Sequence, residues 1–371
     1  MLTTARSTVV LALAVALGAA VLVTPSPASG GTGNFTVFAS GLNNPRGLEW
    51  GPDGNLYVTE GGTGGTTSTT AQQCTQVKPP IGPYTGGSTS DILRFSPGGT
   101  RSLVAGGLPS DQSAPPRNFM SGVADVAFIG NTLYALEAGA GCSHGHADAD
   151  NAILRVNSNG TTTPIANLSA FLKTHPVANP DEDDFEPDGT WYSMVPFRGD
   201  LYAVEPNHGE VDRIDPATGA ISRVVDVSAT QGHIVPTAIA RGGLFGGFAL
   251  GNLGVFPIVP GSSQLMRVTT NGNLSVVRTG FSTILGLDFD LWGNLYVLES
   301  MTAPGFPGPA QLGTGKIVRL NFFGGTSTIA TGLSFPTGMT IGPDGALYVS
   351  NLGFAGPGAG QILRIPTRRE F

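Results

Sequence analysis

The sequence is short of charge. Only 12% of its 371 residues are Asp, Glu, Lys or Arg, and 19 basic residues face 26 acidic ones, for a formal net charge of −7. Nucleic acid is excluded as a partner because no basic stripe is available for phosphates. The only dense basic pair, Arg368 and Arg369, reads as a solvated tail over 368–371. Catalytic signatures are missing too. No nucleophile elbow, Walker loop, dinucleotide fingerprint or paired zinc motif occurs, so covalent catalysis has no positive support. Beyond residue 23 no run is long and apolar enough to span a bilayer. Glycine is abundant, at 55 residues, but without a Gly-X-Y period, which excludes collagen and favours short strands joined by tight turns.

Residues 1–29 read as a secretory leader: Arg6 in the charged region, an apolar stretch over 9–23, then small residues and Pro with cleavage near Ala28. The expected protein is secreted and soluble, with no membrane insertion of the mature chain; an uncleaved anchor is the alternative. In that setting Cys74 and Cys142 suggest one disulfide. Closing such a loop stabilises by up to ~4 kcal/mol in the chain-entropy view.

What is present is a repeat. PRGLEWGPDGNLYVTEGG (45–62) returns as PTGMTIGPDGALYVSNLG (336–353). Pro-Asp-Gly between alternating apolar runs is a hairpin signal. Six such units align. Their second strands are LYVTE (56–60), LYALE (133–137), LYAVE (201–205), FALGN (248–252), LYVLE (295–299) and LYVSN (347–351). Each is followed by an Arg-bearing third strand, as in DILRF (91–95) and QILRI (361–365). The first five then have a fourth strand, and the sixth lacks one. NFTVFASGL (34–42) resembles the missing strand and would complete the last unit, closing a ring and covering its sheet edges. The expectation is an all-β chain, a single six-bladed β-propeller of four-stranded antiparallel blades over 34–367. A closed ring needs no partner, so a monomer is expected.

Alternating strands put the tight turns on one face of the ring and the long loops, including 61–90, 138–151 and 169–190, on the other. Long loops on a rigid scaffold are where function usually sits. All five histidines, His144, His146, His175, His208 and His233, fall on that face. So do the ends of the second strands, Glu60, Glu137, Glu205, Asn252, Glu299 and Asn351. Oxygen donors converging on a channel would suit a divalent cation, Ca²⁺ first; the alternative is that they cap backbone N–H groups at the strand ends. The acidic run DEDDFEPD (181–188) is either a second cation site or lip, or a solvated loop. CSHGHADAD (142–150) is a weak metal motif, since Cys142 is expected in the disulfide. The Arg of each third strand is expected to pack its stem on a neighbouring ring, with Arg94 opposite Tyr57.

Four stretches, PPIGPYTGG (79–87), GCSHG (141–145), DDFEPDGTWYSM (183–194) and LYAVEPNHGEVDRIDPATG (201–219), resemble the ScyD/ScyE family of secreted NHL-repeat-like propellers. The resemblance implies an extracytoplasmic role in handling or maturing a metabolite, without a reaction to carry over. Metal-dependent gluconolactonases are similar in architecture alone. They place Asn or Asp before the first-strand Gly as metal ligands, where this chain has Arg46, Ser121 and Thr337. Three readings follow. The first is a binding propeller for a small molecule or cation at the long-loop mouth, with His144, His175, Asp184 and Glu186 as further ligand contacts. The second is an enzyme on the same site, with a metal at the Glu/Asn ring and His208 or His233 as acid–base. The third is a protein-interaction platform with an exposed apolar patch, for which Trp191, Phe306 and Phe354 are candidates.

Overall fold

The second strand of each unit begins with three successive apolar residues, which requires cover on both faces. A radial stack of blades provides it. In the computed structural model, which describes residues 34–115, 119–242, 246–304 and 312–367, the strands Leu56–Glu60, Leu295–Glu299 and Leu347–Asn351 are buried at every position. The leader at 1–29, the tail at 368–371 and Phe306 lie outside the described residues.

Six antiparallel sheets form the ring. The inner strands are Pro45–Trp50, Val123–Ile129, Ser193–Phe197, Pro236–Arg241, Ile284–Phe289 and Gly338–Ile341. The N-terminal strand Thr36–Leu42 pairs antiparallel with Gly360–Ile365 and completes the sixth blade as expected. Six apolar clusters lie one between each pair of neighbouring sheets. The one that seals the ring joins Leu42 and Ile362 of blade 6 to Leu48, Val58 and Leu93 of blade 1. Stability therefore resides between the blades as well as in their ladders, through burial of apolar surface.

The repeat fixes the register. The second-strand Tyr pairs with the third-strand Arg in five blades: Tyr57 with Arg94, Tyr134 with Arg155, Tyr202 with Arg213, Tyr296 with Arg319 and Tyr348 with Arg364. In blade 4 the pair is Ala249 with Arg267. The Arg does more than pack. Arg94, Arg213 and Arg364 reach the carboxylates of Asp53, Asp200 and Asp344 at 3.8, 2.7 and 2.8 Å, closing each blade at its short-turn end.

Blade 1 departs from the repeat. Its third and fourth strands lengthen to Thr85–Phe95 and Arg101–Gln112, and a short fifth strand, Met120–Ser121, pairs with the end of the latter. The long loops also contain helical turns that strand periodicity does not reveal: Cys142–His144, Leu168–Thr174 and Ser228–Gln231. The second helix starts at Asn167, whose side chain accepts from Ala170 N, an ordinary N-cap.

Candidate functional site at the long-loop mouth

The disulfide Cys74–Cys142 forms and ties the blade 1 loop to the blade 2 loop across 68 residues. Glycines let the two backbones touch. Gly145 has φ +86°, and a Cβ there would stand 2.4 Å from Gly86 N. This contact holds the turn that carries His144 against the extended third strand of blade 1.

His144 is fully buried. Its Nδ1 lies 2.5 Å from Asp111 Oδ2, its Nε2 stands 3.4 Å from Glu186 Oε2, and its ring stacks on Tyr84 with centroids 4.8 Å apart. Burial disfavours the imidazolium, but Asp111 and Glu186 outweigh it and push the pKa up to about 10. His144 is therefore held as a cation at neutral pH, between the carboxyls of Asp111 and Glu186. Tyr84 Oη donates to Glu186 Oε1 at 2.9 Å, and Asp111 Oδ1 accepts from Ser121 N at 3.2 Å. Burial raises the Glu186 pKa despite the opposing pull of His144 and Tyr84. The His144 contact is an ion pair, and Glu186 Oε2 has no hydrogen bond.

Glu186 lines a cavity of ≈190 Å³ at the channel mouth. Aromatic walls come from Tyr84, Phe119, Tyr192, Phe256 and Phe354, and polar groups from Ser121, Asp184, Thr190, Asn207 and Thr237. Its floor is Tyr192, which reaches from blade 3 to the opposite blade 6 and donates Oη to Thr337 O at 2.6 Å. Tyr192 and Leu285 also roof a second chamber of ≈230 Å³ toward the short-turn end. Three carboxyls line that lower chamber. Burial pushes Glu49 up to about 8, with the Asp288 and Asp125 charges adding to it, and raises Asp125 to about 7 and Asp288 to about 6. Asp125 accepts from Met194 N and Asp288 from Ile341 N, both at 2.8 Å, so each staples its blade to the next.

The structure sorts the expected site residues. Asp184 and Glu186 line the mouth, and His144 stands behind Glu186 as its support. His175 is a correction: it stacks on Phe171 away from the cavity. Neither of the two catalytic candidates lines this cavity, and His208 borders a separate one of ≈520 Å³ with Lys173 and Phe185. His208 is buried, donating its backbone N–H to Glu205 Oε2 at 2.5 Å and placing Nε2 2.8 Å from Glu186 O. His233 pairs with Asp184 at 2.9 Å, and that carboxylate raises its pKa against the effect of burial. The run 181–188 is divided: Glu182 and Asp183 are exposed, whereas Glu186 and Asp188 are buried. Asp188 takes Ser143 N and Oγ and the Lys173 ammonium.

The cation ring is also corrected, in favour of strand-end capping. Glu60 accepts from Asn43 N, Glu137 from Gly139 N, Glu205 from Thr190 N, Asn252 from Gln264 N and Asn351 from Ser334 N. Glu299 pairs with Lys316 at 2.9 Å. Among the described residues no three His, Cys, Asp or Glu side chains come together to hold a metal ion. At the first-strand position, Arg46 is buried, donates Nη1 to Gly353 O at 2.5 Å and Nη2 to Met120 O, and lies 4.8 Å over the Phe354 ring. Thr337 Oγ1 donates to Pro45 O.

Sequence reasoning passed over Tyr84, Asp111 and Tyr192. Tyr84 and Tyr192 do lie within the stretches that carry the family resemblance. Asp111 has no local signal, because it depends on the extension of blade 1.

No family model matches the chain, and no curated protein sequence matches it. Solved structures do share the fold. Regucalcin from Agrobacterium tumefaciens, a calcium-binding protein, superposes with TM-score 0.53 at 12% identity, over 91% of this chain and 96% of that one. A gluconolactonase from Xanthomonas campestris gives 0.51 at 9% identity, over 90% and 89%. A Thermus thermophilus protein described as an oxidoreductase (glucose dehydrogenase) gives 0.54 at 16%, over 90% and 99%. A resident calcium ion of the kind regucalcin's description names does not fit the strand-end groups here: each gives an oxygen to a backbone N–H or to Lys316, a guanidinium is fixed at the channel top, and among the described residues no three acidic, His or Cys side chains converge to hold a metal. At these identities the likeness shows the fold: this chain is a six-bladed β-propeller.

Proposed function

We propose that this chain is an extracytoplasmic binding propeller that takes a small, largely apolar organic molecule at its long-loop mouth, with Glu186 as the polar anchor. One observation carries the reading. Glu186 is 3% exposed, is held by Tyr84 and His144, and keeps one oxygen without a hydrogen bond at the wall of an aromatic cavity. That oxygen meets only the His144 ion pair at 3.4 Å, and a buried carboxyl on the wall of an aromatic cavity is the kind of polar group that orients a ligand. The resemblance to ScyD/ScyE propellers supports a role in metabolite handling. Three of its four stretches line this mouth, 79–87 with Ile81 and Tyr84, 183–194 with Asp184, Glu186, Thr190 and Tyr192, and 201–219 with Pro206 and Asn207, while 141–145 supplies His144 behind Glu186. The secreted setting rests on the leader-like residues 1–29.

A thermal-shift screen of esters, lactones and oxidisable metabolites tests the proposal. Binders should raise the melting temperature of the native protein and lose most of that effect with Glu186→Gln. Binders that act equally on the variant would place the site elsewhere.

A second reading, an enzyme, is favoured by the raised pKa of Glu186, which suits a general acid–base group. Glu186 would then exchange a proton with the bound molecule while Asp111 and His144 fix its position. Turnover abolished in Glu186→Gln, with binding of a product analogue retained within about tenfold, would distinguish catalysis from binding alone.

A further inference from the structure

The segment 184–187 serves two cavities. Asp184 and Glu186 line the mouth, whereas Phe185 and Pro187 line the separate cavity of ≈520 Å³. Side chains that alternate along the chain, as they do in a strand, let one stretch form a wall of each. No residue lines both cavities. The walls of the larger one are apolar: Leu172, Pro176, Val177, Pro180, Phe185 and Pro187. The fold holds them in place. The disulfide fixes Cys74 at one edge. Arg223 Nη1 donates to Pro176 O at 3.2 Å, Ala178 N to Asp226 Oδ2 at 2.7 Å and Asn179 N to Ser228 Oγ at 3.1 Å. The wall over 176–180 is thereby anchored to the outer strand of blade 3, Ile221–Asp226, and to the turn Ser228–Gln231. A preformed apolar cavity of this volume with a few polar groups is the usual form of a small-molecule site.

One polar side chain in it has an atom to spare. His208 is 5% exposed, and its ring borders the cavity and tilts against Phe185 with centroids 4.9 Å apart. Its Nε2 lies 2.8 Å from Glu186 O. A carbonyl oxygen only accepts, so Nε2 carries the proton, and in the neutral ring Nδ1 keeps a lone pair. Among the described residues nothing hydrogen-bonds to Nδ1. Water or a ligand hydroxyl can meet it, and the ligand also gains by covering apolar wall. The charges at the rim favour a neutral occupant. Lys173 Nζ meets Asp188 Oδ1 at 2.5 Å and Asp188 Oδ2 takes Ser143 N and Oγ, so that pair is spent. Asp181, Glu182 and Asp183, just ahead of Phe185, repel an anion.

We propose that this cavity is a second binding site, which takes an uncharged ring compound whose hydroxyl donates to His208 Nδ1 while the ring packs against Phe185 and the prolines. It stands independently of the reading of the mouth, because its anchor and its walls are different residues.

Naphthol and cyclohexanol test it on the full chain, each beside its methyl ether, which keeps the ring and lacks the O–H donor. Titration calorimetry should show each alcohol binding about tenfold tighter than its ether, the worth of one hydrogen bond. In His208→Gln the amide can still donate to Glu186 O, but Nδ1 is gone. That variant should lose the preference for alcohol and keep its affinity for the ethers. Thr75→Trp, at the exposed rim and clear of His208, should weaken alcohol and ether alike. If His208→Gln does not fold, Thr75→Trp still decides, since alcohol affinity unchanged by it overturns the proposal. So does the absence of binding by either alcohol, or a preference for alcohol over ether that survives in His208→Gln. A preference lost in Glu186→Gln but kept in His208→Gln also overturns it, by seating the alcohols at the mouth.

Discussion

His144 Nδ1 meets Asp111 Oδ2 at 2.5 Å in a pocket closed to water, one from the long loop of blade 2 and the other from the extended outer strand of blade 1. A buried pair of this kind is costly to break by halves, because the surviving charge is left without a partner. Asp111→Asn should destabilise the protein by about 3 kcal/mol in denaturant unfolding, with His144→Gln/Asp111→Asn less damaging than the sum of its parts.

The same pair predicts a pH dependence. The folded pKa of His144, about 10, lies above the unfolded value of 6.5. Its contribution is therefore fully present below pH 6.5 and is lost as pH rises toward 10. Unfolding free energies from pH 6 to 10 should fall more steeply in the native protein than in His144→Gln.

Glu49 provides a contrasting case. It is a carboxyl raised from 4.5 to about 8 by burial and the neighbouring Asp288 and Asp125 charges. The folded state holds its proton more tightly, so stability from this group is present below pH 4.5 and is lost as pH rises through 8. Glu49→Gln should be more stable than the native protein at pH 8.5, by on the order of 2 kcal/mol, with little difference at pH 4.

Tyr192→Phe removes the hydrogen bond that crosses the channel to Thr337 O. A loss of about 1 kcal/mol is expected, together with altered ligand affinity at the mouth whose floor Tyr192 forms.

Metal should not matter to the fold. With the strand-end carboxylates engaged by backbone N–H groups and by Lys316, neither Ca²⁺ nor a chelator should move the melting temperature. A rise of several degrees with Ca²⁺, lost in Glu60→Gln/Glu205→Gln, would restore the cation ring.

Much of the fold was legible because each unit repeats the same chemistry. LYVTE and LYVSN state a doubly buried strand, and Tyr57 opposite Arg94 follows from antiparallel register alone. Closure by residues 34–42 could be read because the sixth unit visibly lacked a strand, and the structure begins the pairing at Thr36. The site was legible only in part. Glu186 and Asp184 stood out in an acidic run, but the assignment of its two halves to water and to core depends on Tyr84 and His144, brought in by other loops. His208 and His233 share the right face and have the right chemistry. Only tertiary contacts show that one ring points to the Glu186 carbonyl and the other to Asp184. Asp111 was invisible because nothing in the repeat predicts that the outer strand of blade 1 runs on to residue 112.

The pairing of Thr36–Leu42 with Gly360–Ile365 also sets an order of events during synthesis. The first strand of the ring to leave the ribosome is the last to find its partner. Throughout translation of the intervening blades it has no ladder to join, and the flank of blade 1 that Leu42 will cover stays open. Such an edge invites pairing with other chains. Until residues 360–365 are free to pair, the flank of blade 1 stays uncovered, so slowing elongation across the intervening blades should increase aggregation.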